Sequence, residues 1–456
     1  MTFAPLVLGW RLAPGASLAP LRATDLALTF AGNTATLSPG HGGLRDALLA
    51  LKDGADETHL TAVAGDEKTA ELYYYLAGMV RRGVLEASAD LDGSPLVRLV
   101  PRSSEFELPL PSDVPQSVML DRFAFLRRAE RGASLQHPDA ACDLLIEHAA
   151  VAGLVGRLAA GPLDIASLST ALDRAVASLL AALGFAVDAA AAEDVSRRTW
   201  EFHDRLFQRA ARSYADLVPR GATYRFVGEL PAAAAIRPAY PGASISLAKP
   251  QVASGPGRSM LEVMEGRRSS RAMSDTPVSL DAVSSLLYRV ARVKGTMRGP
   301  PEMPQDVLLR PYPSGGAIHE LEFYLAVHAC DGLAPGFYHY RGQEHALTRI
   351  VDAEAPAAAM LDDCAAAWGQ SGRPPQVLVV IASRLPRLAW KYSGIAYKVS
   401  LMNAGVAIQS LYLVANDLGL AGAAAGSGNP ELFARATGVS SWEETSIAEF
   451  GFGRPA

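Results

Sequence analysis

The apolar residues in the second half of the chain follow the periods of both strands and helices. In IHELEFYLAVH, from Ile318, apolar and polar side chains alternate, which predicts a strand. QVLVVIAS, from Gln376, is a continuous apolar run typical of a strand buried on both faces. Ser279 precedes apolar residues at helical spacing, which predicts a helix capped by this serine. Asn429 is predicted to cap a second helix, and SIAEFGFG predicts a last strand. This half is therefore predicted to be a mixed α and β domain.

The most hydrophobic long segment is VSLMNAGVAIQSLYLVA, from Val399 to Ala415. Its length is near the lower limit for a membrane span, but Asn403 and Gln409 interrupt it. Lys398 precedes it and Asp417 follows it, so a buried helix is favoured and no membrane contact is expected.

The first half contains two segments of similar pattern. One runs GLRDALLALKDGADETHLTAVAG and then ELYYYLAGMVRRGVLEAS; the other runs GLVGRLAAGPLDIASLSTAL and then AVASLLAALGFAVDA. Each predicts an apolar helix, a short helix around Leu60 or Leu168, and a last helix closed by Gly83 or Gly184. With candidate strands in MTFAPLVLGWRLAP and PLVRLV, this is a winged-helix pattern. Either the segments are distant copies, or Ala-rich helices resemble one another by composition.

Residues 230–258 contain five prolines and little periodicity, which predicts an extended linker. The chain is therefore predicted to comprise a winged-helix-like module at 1–105, a second helical module at 106–229, a linker at 230–257 and a larger domain at 258–456.

Composition and charge exclude several function classes. The formal charge is −5, and Lys and Arg are scattered, which argues against a nucleic-acid surface. Three cysteines far apart support neither a disulfide framework nor a metal site. The N-terminus lacks the basic region and apolar core of a signal peptide, so a cytoplasmic location is expected.

Three arginines and two serines lie together in GRRSSR, directly after the predicted short helix GRSMLEVMEG. Arg267, Arg268 and Arg271 could surround a phosphate together with the hydroxyl of Ser269, because guanidinium groups offer fixed donors and keep their charge. A solvated basic turn is the alternative.

Two glycine-rich stretches are candidates for contact with a flat ligand. In RPYPSGGAIH, Gly315 and Gly316 allow close approach of the backbone and Ser314 offers a hydroxyl group. LGLAGAAAGSGN, residues 418–429, has few bulky side chains and exposes backbone groups that suit a flavin edge. Ordinary loops are the alternative for both, and a lone His319 is more typical of a structural residue.

WKYSGIAYK places Lys391 beside Tyr392, just before the long apolar helix. If that helix begins near Ser393 or Gly394, both polar groups lie at the edge of a core. The apolar face of that helix predicted to pack against the core then consists of Ile395, Val399, Met402 and Val406. An amine withdrawn from water loses its proton more easily and can act as a base, and a phenol can donate a hydrogen bond. Alternatively, the lysine extends to water and the tyrosine fills space.

The chain has none of the common nucleotide, serine-hydrolase or zinc-protease motifs. RRSSR, PSGGAIHELEFYL, WKYSGIAYK, NAGVAIQSLYLVANDLGL, GSGN and SIAEFGFG, in this order, strongly resemble the nitroreductase-like flavin dehydrogenases of the SagB type. These are the azoline oxidases of thiazole- and oxazole-containing peptide pathways. The resemblance extends from Gly257 to the end and implies an α+β flavoprotein fold, an intertwined homodimer, and FMN at the subunit interface.

The resemblance also implies residue roles. Arg267, Ser269 and Arg271 would hold the FMN phosphate, with Arg268 nearby and Arg454 assisting. Ser314, Gly315 and Gly316 would approach the isoalloxazine from the partner chain, and Ala425 and Gly426 would lie at its N5 edge. Lys391 and Tyr392 match the catalytic pair of the family. One departure is Ala423, near which many relatives have a cysteine.

The implied reaction oxidises a thiazoline or oxazoline ring of a ribosomally made peptide to a thiazole or oxazole. Lys391 would take the Cα proton while a hydride leaves Cβ for flavin N5, and Tyr392 would orient the ring or assist the proton. The N-terminal modules are expected to be peptide clamps, and a cyclodehydratase is an expected partner. The alternatives are an NAD(P)H-dependent nitroreductase or ene-type reductase on the same fold, and a non-catalytic scaffold subunit of a heterocyclising complex.

Overall fold

The computed structural model divides into two compact units, residues 1–219 and 220–456. The structure describes residues 6–91, 94–107, 114–189, 191, 194–212, 217, 219–250, 257–370, 372–426 and 428–456. The predicted linker at 230–257 falls within the second unit, and its residues 251–256 lie outside the described ranges. The division of the chain into four parts stays a prediction.

Within its described residues, the first unit contains thirteen strands and seven helices. Its strands are β1 (Val7–Leu12), β2 (Ser17–Pro20), β3 (Leu26–Phe30), β4 (Asn33–Leu37), β5 (Ala55–Asp56), β6 (Leu85–Leu91), β7 (Ser94–Pro101), β8 (Ser117–Leu120), β9 (Phe125–Ala129), β10 (Gly132–Gln136), β11 (Cys142–Ile146), β12 (Leu163–Asp164) and β13 (Ala186–Asp188). Its helices are α1 (Gly43–Ala50), α2 (Glu57–Ala64), α3 (Thr69–Val80), α4 (Ala149–Ala160), α5 (Ala171–Ala182), α6 (Val195–Arg198) and α7 (Phe202–Arg212). The strands predicted in MTFAPLVLGWRLAP and PLVRLV correspond to β1 and β7.

The two halves of this unit repeat one order of elements. Strand β1 is followed by the meander β2 to β4, helix α1, the short strand β5, helices α2 and α3, and strand β6. Strand β8 is followed by the meander β9 to β11, helix α4, the short strand β12, a 3-10 turn, helix α5 and strand β13. In each half the first strand pairs with both the short strand and the last one. Composition does not dictate strand order, so this shared topology supports the interpretation as distant copies.

Two details of the predicted copies can be compared with the structure. Gly83 and Gly184 follow the last helices with φ of 70° and 79°, a region that favours glycine, as expected for helix ends. The short helix expected around Leu168 is instead a 3-10 turn, Ile165–Ser167. Leu60 and Leu168 are both buried, so the apolar pattern located core positions correctly although it did not distinguish the two kinds of helix.

The two meanders differ in their outer edges. Strand β11 pairs with β7, which joins β9 to β11 to the seven-stranded sheet β5-β1-β6-β7-β11-β10-β9. Strand β4 occupies the corresponding position in the first half and ends the separate sheet β2-β3-β4.

The second unit is built on one antiparallel sheet of seven strands, in the order β15-β22-β21-β19-β23-β26-β25. Its strands are β14 (Gly221–Ala222), β15 (Ser244–Ser246), β16 (Val278–Ser279), β17 (Gly295–Met297), β18 (Val307–Leu309), β19 (Leu321–Val327), β20 (Cys330–Asp331), β21 (Gly336–Arg341), β22 (Ala346–Ile350), β23 (Val377–Ser383), β24 (Tyr392–Ser393), β25 (Ala421–Ala425) and β26 (Thr445–Gly453). Its helices are α8 (Met260–Gly266), α9 (Leu280–Ala291), α10 (Glu354–Ala367), α11 (Leu385–Lys391), α12 (Ala396–Asp417) and α13 (Pro430–Thr437).

Helices cover both faces of this sheet. Residues of α9 and α12 share one core cluster with β19 and β23, and residues of α10 and α13 share a second cluster with the opposite faces of the same strands. Ser279 and Asn429 cap α9 and α13 through their side chains, as predicted. Strand β23 is buried on both faces, as predicted, whereas β19 is also buried throughout despite its alternating sequence. The predicted mixed α and β domain is confirmed.

The face on which α12 packs differs from the prediction. The helix begins at Ala396, and its buried residues are Ser400, Asn403, Ala404, Ala407, Leu411 and Ala415. Met402, which was expected in the packing stripe, is 60% exposed, and Val406 is 36% exposed. The error arose because the largest apolar residues were assumed to face the core, whereas small side chains let this helix approach the sheet closely.

By length and composition α12 could cross a membrane. In the structure, however, one side of it lies in the core cluster with the central strands and α9. It is therefore a core helix of the second unit, as the polar interruptions of its sequence indicated.

Candidate active site

Lys391 and Tyr392 lie where a helix passes into a short strand. Helix α11 ends at Lys391, and Tyr392 begins β24. Gly394, with φ of 71°, then turns the chain towards α12, a conformation that favours glycine. The polar pair therefore precedes the helix, as predicted, although the helix begins later than Gly394.

The amine of Lys391 and the phenol of Tyr392 converge on Gly316. A Cβ atom at Gly316 would lie 2.5 Å from Nζ of Lys391 and 2.5 Å from the hydroxyl oxygen of Tyr392. The two polar atoms are thus separated by no more than twice that distance. Gly316 has φ of 59°, and a Cβ at Gly315 would collide with Val399, so glycine suits both positions. We call Ser314, Gly315, Gly316, Lys391 and Tyr392 the lysine cluster.

Asn403, on the buried face of α12, holds the loop that carries these glycines. Its Oδ1 accepts the N–H of Gly315 at 3.1 Å, and its Nδ2 donates to Oγ of Ser314 at 3.0 Å. Nδ2 also lies 3.1 and 3.0 Å from the two carboxyl oxygens of Glu320. The Ser314 hydroxyl accepts the N–H of His319 at 3.0 Å and lies 3.5 Å from the Glu320 carboxyl group. The hydroxyl that was expected to face a flavin is thus used within the loop.

Glu320 is completely buried beneath the same loop. Burial raises the pKa of its carboxyl group above the ordinary value, although the hydrogen bond from Asn403 acts in the opposite direction. Neither Asn403 nor Glu320 was predicted from the sequence as part of the site. The available signal was their polarity within otherwise apolar segments, since buried polar groups need partners.

Arg387 stabilises the loop that carries Gly315 and Gly316 through a hydrogen bond at Ile318. Its guanidinium group is completely buried and donates to the carbonyl groups of Ile318 at 3.0 Å, Ala233 at 2.8 Å and Asp306 at 2.5 Å. Burial lowers its pKa to about 10. Burial and two nearby arginines also lower the pKa of His319 to about 3, so its imidazole is neutral at physiological pH. That state agrees with the structural role expected for His319.

The GRRSSR segment follows α8, which Ser259 and Glu262 cap reciprocally. Arg268 and Arg271 are exposed, and Arg267 is partly buried. In the described part of the chain, none of these arginines, nor Arg454, forms an ion pair with a carboxylate. Guanidinium groups without counter-ions favour an anionic ligand. We call Arg267, Arg268, Ser269, Arg271 and Arg454 the arginine cluster.

Tyr412, on α12, joins this cluster to strand β25. Its hydroxyl lies 3.0 Å from Oγ of Ser269 and accepts the N–H of Ala424 at 2.9 Å, and the Arg267 guanidinium lies 5.3 Å from its ring centroid. The N–H of Ser270 donates to the carbonyl of Gly422 at 3.0 Å. A crevice of about 150 Å³ lies beside Tyr412 and is lined in part by Arg268 and Ser270. Tyr412 was not singled out from the sequence.

The C-terminus brings Arg454 to the same region. The N–H of Arg454 donates to Oε1 of Gln376 at 2.9 Å, and its carbonyl accepts the N–H of Ser274 at 2.9 Å. Nε2 of Gln376 donates to the carbonyls of Ser274 and Thr276 at 2.7 and 2.8 Å. Arg271 and the terminal Ala456 line one cleft of about 1200 Å³.

Ala425 and Gly426 lie at the end of β25. A Cβ at Gly426 would meet no atom within 4 Å, so the space beside it is open to a ligand. Glu449, on the neighbouring strand β26, is only 3% exposed. It pairs with Ala425 across the sheet and accepts the N–H of Asn429. Burial, together with Asp363, raises the pKa of Glu449 to about 7. Ser427 of the GSGN motif lies outside the described residues, and Ala423 is fully buried.

Helix α12 contacts both clusters through residues on opposite faces. Asn403 contacts the lysine cluster, and Tyr412 contacts the arginine cluster nine residues later. At 3.6 residues per turn, the two side chains point in opposite directions and are separated by roughly 14 Å along the helix axis. Within one chain, the two clusters therefore lie on different sides of α12.

The arrangement fits the FMN that the resemblance implies. Unpaired guanidinium groups beside a small crevice suit its phosphate, and the open backbone at Gly426 suits a flat ring. Among the residues that the structure describes, no group of three or more His, Cys, Asp or Glu side chains is placed to hold a metal ion.

Two family models match separate parts of the chain. Residues 264–454 match the nitroreductase family, and residues 118–215 match the cyanobactin oxidase ThcOx. MJ1384 of Methanocaldococcus jannaschii, a protein named as a nitroreductase, is 28% identical over 159 residues, which are 35% of this chain and 74% of that protein.

Two solved structures are also similar. The E. coli microcin synthetase McbBCD complex with truncated pro-MccB17 bound has 20% identity and a TM-score of 0.34, over 45% of this chain and 79% of that chain. A protein from Desulfovibrio desulfuricans, described as a nitroreductase in complex with FMN, has 18% identity and a TM-score of 0.29, over 44% of this chain and 88% of that chain.

Both family matches are to oxidoreductases, and they fall in different units of the structure. Residues 264–454 form a nitroreductase-like domain, and the predicted resemblance of the chain to nitroreductase-like oxidases of the SagB type is confirmed.

Proposed function

We propose that this protein is an FMN-dependent dehydrogenase that oxidises thiazoline or oxazoline rings in a ribosomally made peptide to thiazoles or oxazoles. The observation that carries the proposal is the convergence of the Lys391 amine and the Tyr392 phenol on Gly316. A base beside a hydrogen-bond donor is what removal of a weakly acidic carbon-bound proton requires. The match of residues 118–215 to a cyanobactin oxidase supports a peptide substrate.

Different residues have the catalytic and the cofactor-binding roles in this proposal. Lys391 takes the Cα proton of the azoline, which the adjacent carbonyl and C=N groups acidify, and Tyr392 orients the ring or assists that proton. Bound FMN supplies the acceptor for the two electrons and the hydrogen that leave Cβ. Arg267, Ser269 and Arg271 hold the FMN phosphate, with Arg268 and Arg454 adding positive charge.

The glycines on both sides provide room for the ring system. Gly315 and Gly316 keep one side free of side chains, and Ala425 and Gly426 lie at the N5 edge. Because Ser314 uses its hydroxyl within the loop, its contribution is to hold the two glycines in place.

We further propose that a complete site combines the lysine cluster of one chain with the arginine cluster of its partner in an intertwined homodimer. The positions of Asn403 and Tyr412 on opposite faces of α12 support this division. So does the exposed apolar surface of α8 and α12, on which Met260 is 67%, Leu261 68% and Met402 60% exposed. A second copy of the chain would remove this surface from water.

The first unit is proposed to clamp the peptide. Strand β4 has no partner on its outer edge within the described ranges, whereas β7 covers the equivalent edge of β11. An exposed strand edge can accept an extended peptide as an additional strand. The azoline rings would be supplied by a cyclodehydratase, and a cytoplasmic location agrees with the free cysteines Cys142, Cys330 and Cys364.

The proposal is tested with purified protein and an azoline-containing peptide. The wild type is expected to contain FMN and to convert the peptide to a product about two mass units lighter, because two hydrogen atoms are removed. Lys391→Ala should keep FMN and lose turnover by about 10³-fold, the contribution typical of a general base. Lys294→Ala, which changes an exposed lysine of the same domain, is the matched control and should leave turnover unchanged.

Three results would contradict the proposal in different ways. Rapid reduction of nitroaromatics with NADPH, without peptide oxidation, would indicate a general reductase. A colourless protein that binds no FMN would indicate a scaffold subunit. Loss of FMN from Lys391→Ala would indicate that the lysine supports cofactor binding instead of the chemical step.

A further inference from the structure

A short segment outside both family matches contacts the lysine cluster. Residues 221–224, which we call the strap, lie between the matched regions 118–215 and 264–454. Their first two residues form β14, which pairs antiparallel with Tyr392 and Ser393 of β24. The hydroxyl groups of Thr223 and Ser393 lie 2.6 Å apart. The strap is therefore joined to the strand that carries Tyr392.

Tyr224 is the residue of the strap that contacts Lys391. Its N–H donates to the carbonyl oxygen of Lys391 at 3.1 Å, and its own carbonyl accepts the N–H of Val227 at 2.9 Å, which closes a turn. Its φ is 51°, an uncommon value for a residue with a large side chain. Such a conformation persists only where the surrounding contacts hold it, and it often marks a functional position.

Two aromatic rings flank the amine of Lys391. Nζ lies 5.5 Å from the ring centroid of Tyr224 and 5.4 Å from that of Tyr392. Both distances are within the range in which a ring face attracts an ammonium group. The Tyr224 ring in turn packs edge-on against Trp390, with centroids 6.3 Å apart, and Nε1 of Trp390 donates to the carbonyl of Leu230 at 2.8 Å.

We propose that Tyr224 is a positioning residue for Lys391, which it holds with its amine directed at Gly316. A lysine side chain has four rotatable bonds, and holding it in one conformation costs entropy that neighbouring contacts must offset. Tyr224 supplies these contacts twice, through its backbone to the Lys391 carbonyl and through its ring to the Lys391 amine. The role in catalysis rests on the proposed azoline oxidation, but the positioning of the amine does not.

The first test measures the amine directly and needs no substrate. The full-length protein with its flavin is treated with acetic anhydride at pH 8, and the acetylation rates of Lys391 and Lys294 are measured by mass spectrometry. Replacing the ring in Tyr224→Leu should raise the rate at Lys391 about threefold, because both the shielding and the attraction of the ring are lost. Tyr224→Phe keeps the ring face and should acetylate at the wild-type rate, and Lys294 serves as the internal reference in every sample.

The second test uses turnover of the azoline peptide. Tyr224→Leu should lower kcat about tenfold and leave KM within twofold, because a misplaced base impairs the chemical step and not peptide binding. Tyr224→Phe should restore kcat to within twofold of the wild type.

The outcomes separate this proposal from the proposed function. Equal acetylation of Lys391 in the wild type and Tyr224→Leu would overturn the positioning role. The expected acetylation change in a protein that oxidises no azoline peptide would support the positioning role while the proposed function fails. If Tyr224→Leu does not fold, Thr223→Ala decides, since a faster acetylation of Lys391 would support the role of the strap and an unchanged rate would overturn it.

Discussion

The lysine and arginine clusters of the second unit are built in opposite ways. Hydrogen bonds from Asn403 and the paired strands β14 and β24 hold the lysine cluster, and the buried Arg387 supports it. The arginine cluster lies largely at the surface, without ion pairs among the residues that the structure describes. Groups that act on a reacting atom need a fixed geometry before substrate arrives, whereas groups that bind an anion need only accessible charge. This difference favours assigning chemistry to the first cluster and cofactor binding to the second.

The largest effect is expected from subunit mixing, which tests whether the lysine cluster of one chain acts together with the arginine cluster of its partner. Lys391→Ala and the double variant Arg267→Ala/Arg271→Ala should each be inactive alone. A heterodimer of the two contains one intact site, so it should recover about half of the wild-type turnover per dimer, an all-or-none gain over either parent. The measurement is turnover after the two variants are unfolded and refolded together.

Refolding each variant separately and then combining the two samples is the control for this experiment. Activity that stays at the parental level after joint refolding, with heterodimers shown by mass spectrometry, would place both clusters of a site in one chain.

The arginine cluster alone should control cofactor affinity. Arg267→Ala/Arg271→Ala is expected to raise the Kd for FMN at least about 100-fold, because two charge-assisted hydrogen bonds to phosphate are lost. The wild-type affinity should also fall as salt concentration rises, since these side chains are largely accessible to solvent. Quenching of flavin fluorescence during titration measures both effects.

Arg435→Ala, at an exposed position on α13, is the matched control and should bind FMN as the wild type does. A wild-type Kd in the double variant would mean that Arg267 and Arg271 belong only to a solvated turn, the alternative left open by the sequence.

Glu449, which pairs with Ala425 across the sheet, is expected to produce a smaller effect, a pH dependence of the free energy of unfolding. Its pKa in the folded protein is about 7, above the ordinary value of 4.5, because burial and Asp363 disfavour the charged form. The folded chain therefore binds this proton more tightly than the unfolded chain does, and the resulting stability is present below about pH 4.5 and is lost as pH rises through 7. Between pH 5 and pH 8 the free energy of unfolding should fall by up to about 3 kcal/mol relative to Glu449→Gln, which cannot ionise.

Chemical denaturation of both proteins at several pH values measures this difference. Parallel pH profiles for the wild type and Glu449→Gln would show that Glu449 keeps its ordinary ionisation, and the carboxyl group would then have no special relation to the loop after β25.

Local features of the site could be predicted where their signal was local. The glycines at 315 and 316, the cap at Ser279 and the concentration of arginines after α8 all depend on neighbouring residues, and they occur in the structure where the sequence indicated them. The buried face of α12 was predicted wrongly because residue size was used as a guide to packing. A helix that lies close to a sheet needs small residues at the contact, and periodicity alone does not reveal this.

Partners of the site residues could not be predicted because they are distant in sequence. Asn403 lies 88 residues from Gly315, to which it is hydrogen-bonded, and Thr223 lies 170 residues from Ser393. Tyr224, Tyr412 and Glu449 likewise gained a possible role only from what lies beside them.

The sequence by itself determined the kinds of element in the second unit and the chemistry that its polar groups can perform, because these depend on periodicity, caps and ionisable side chains within short segments. The nitroreductase-like fold was predicted only through the resemblance of several motifs to a known family. Only the tertiary structure decided that the lysine and the phenol meet at Gly316, that Tyr224 flanks the amine, and that α12 separates the two clusters. Those contacts depend on the packing of segments far apart in the chain, where the burial of apolar surface and the pairing of backbone groups determine which side chains become neighbours.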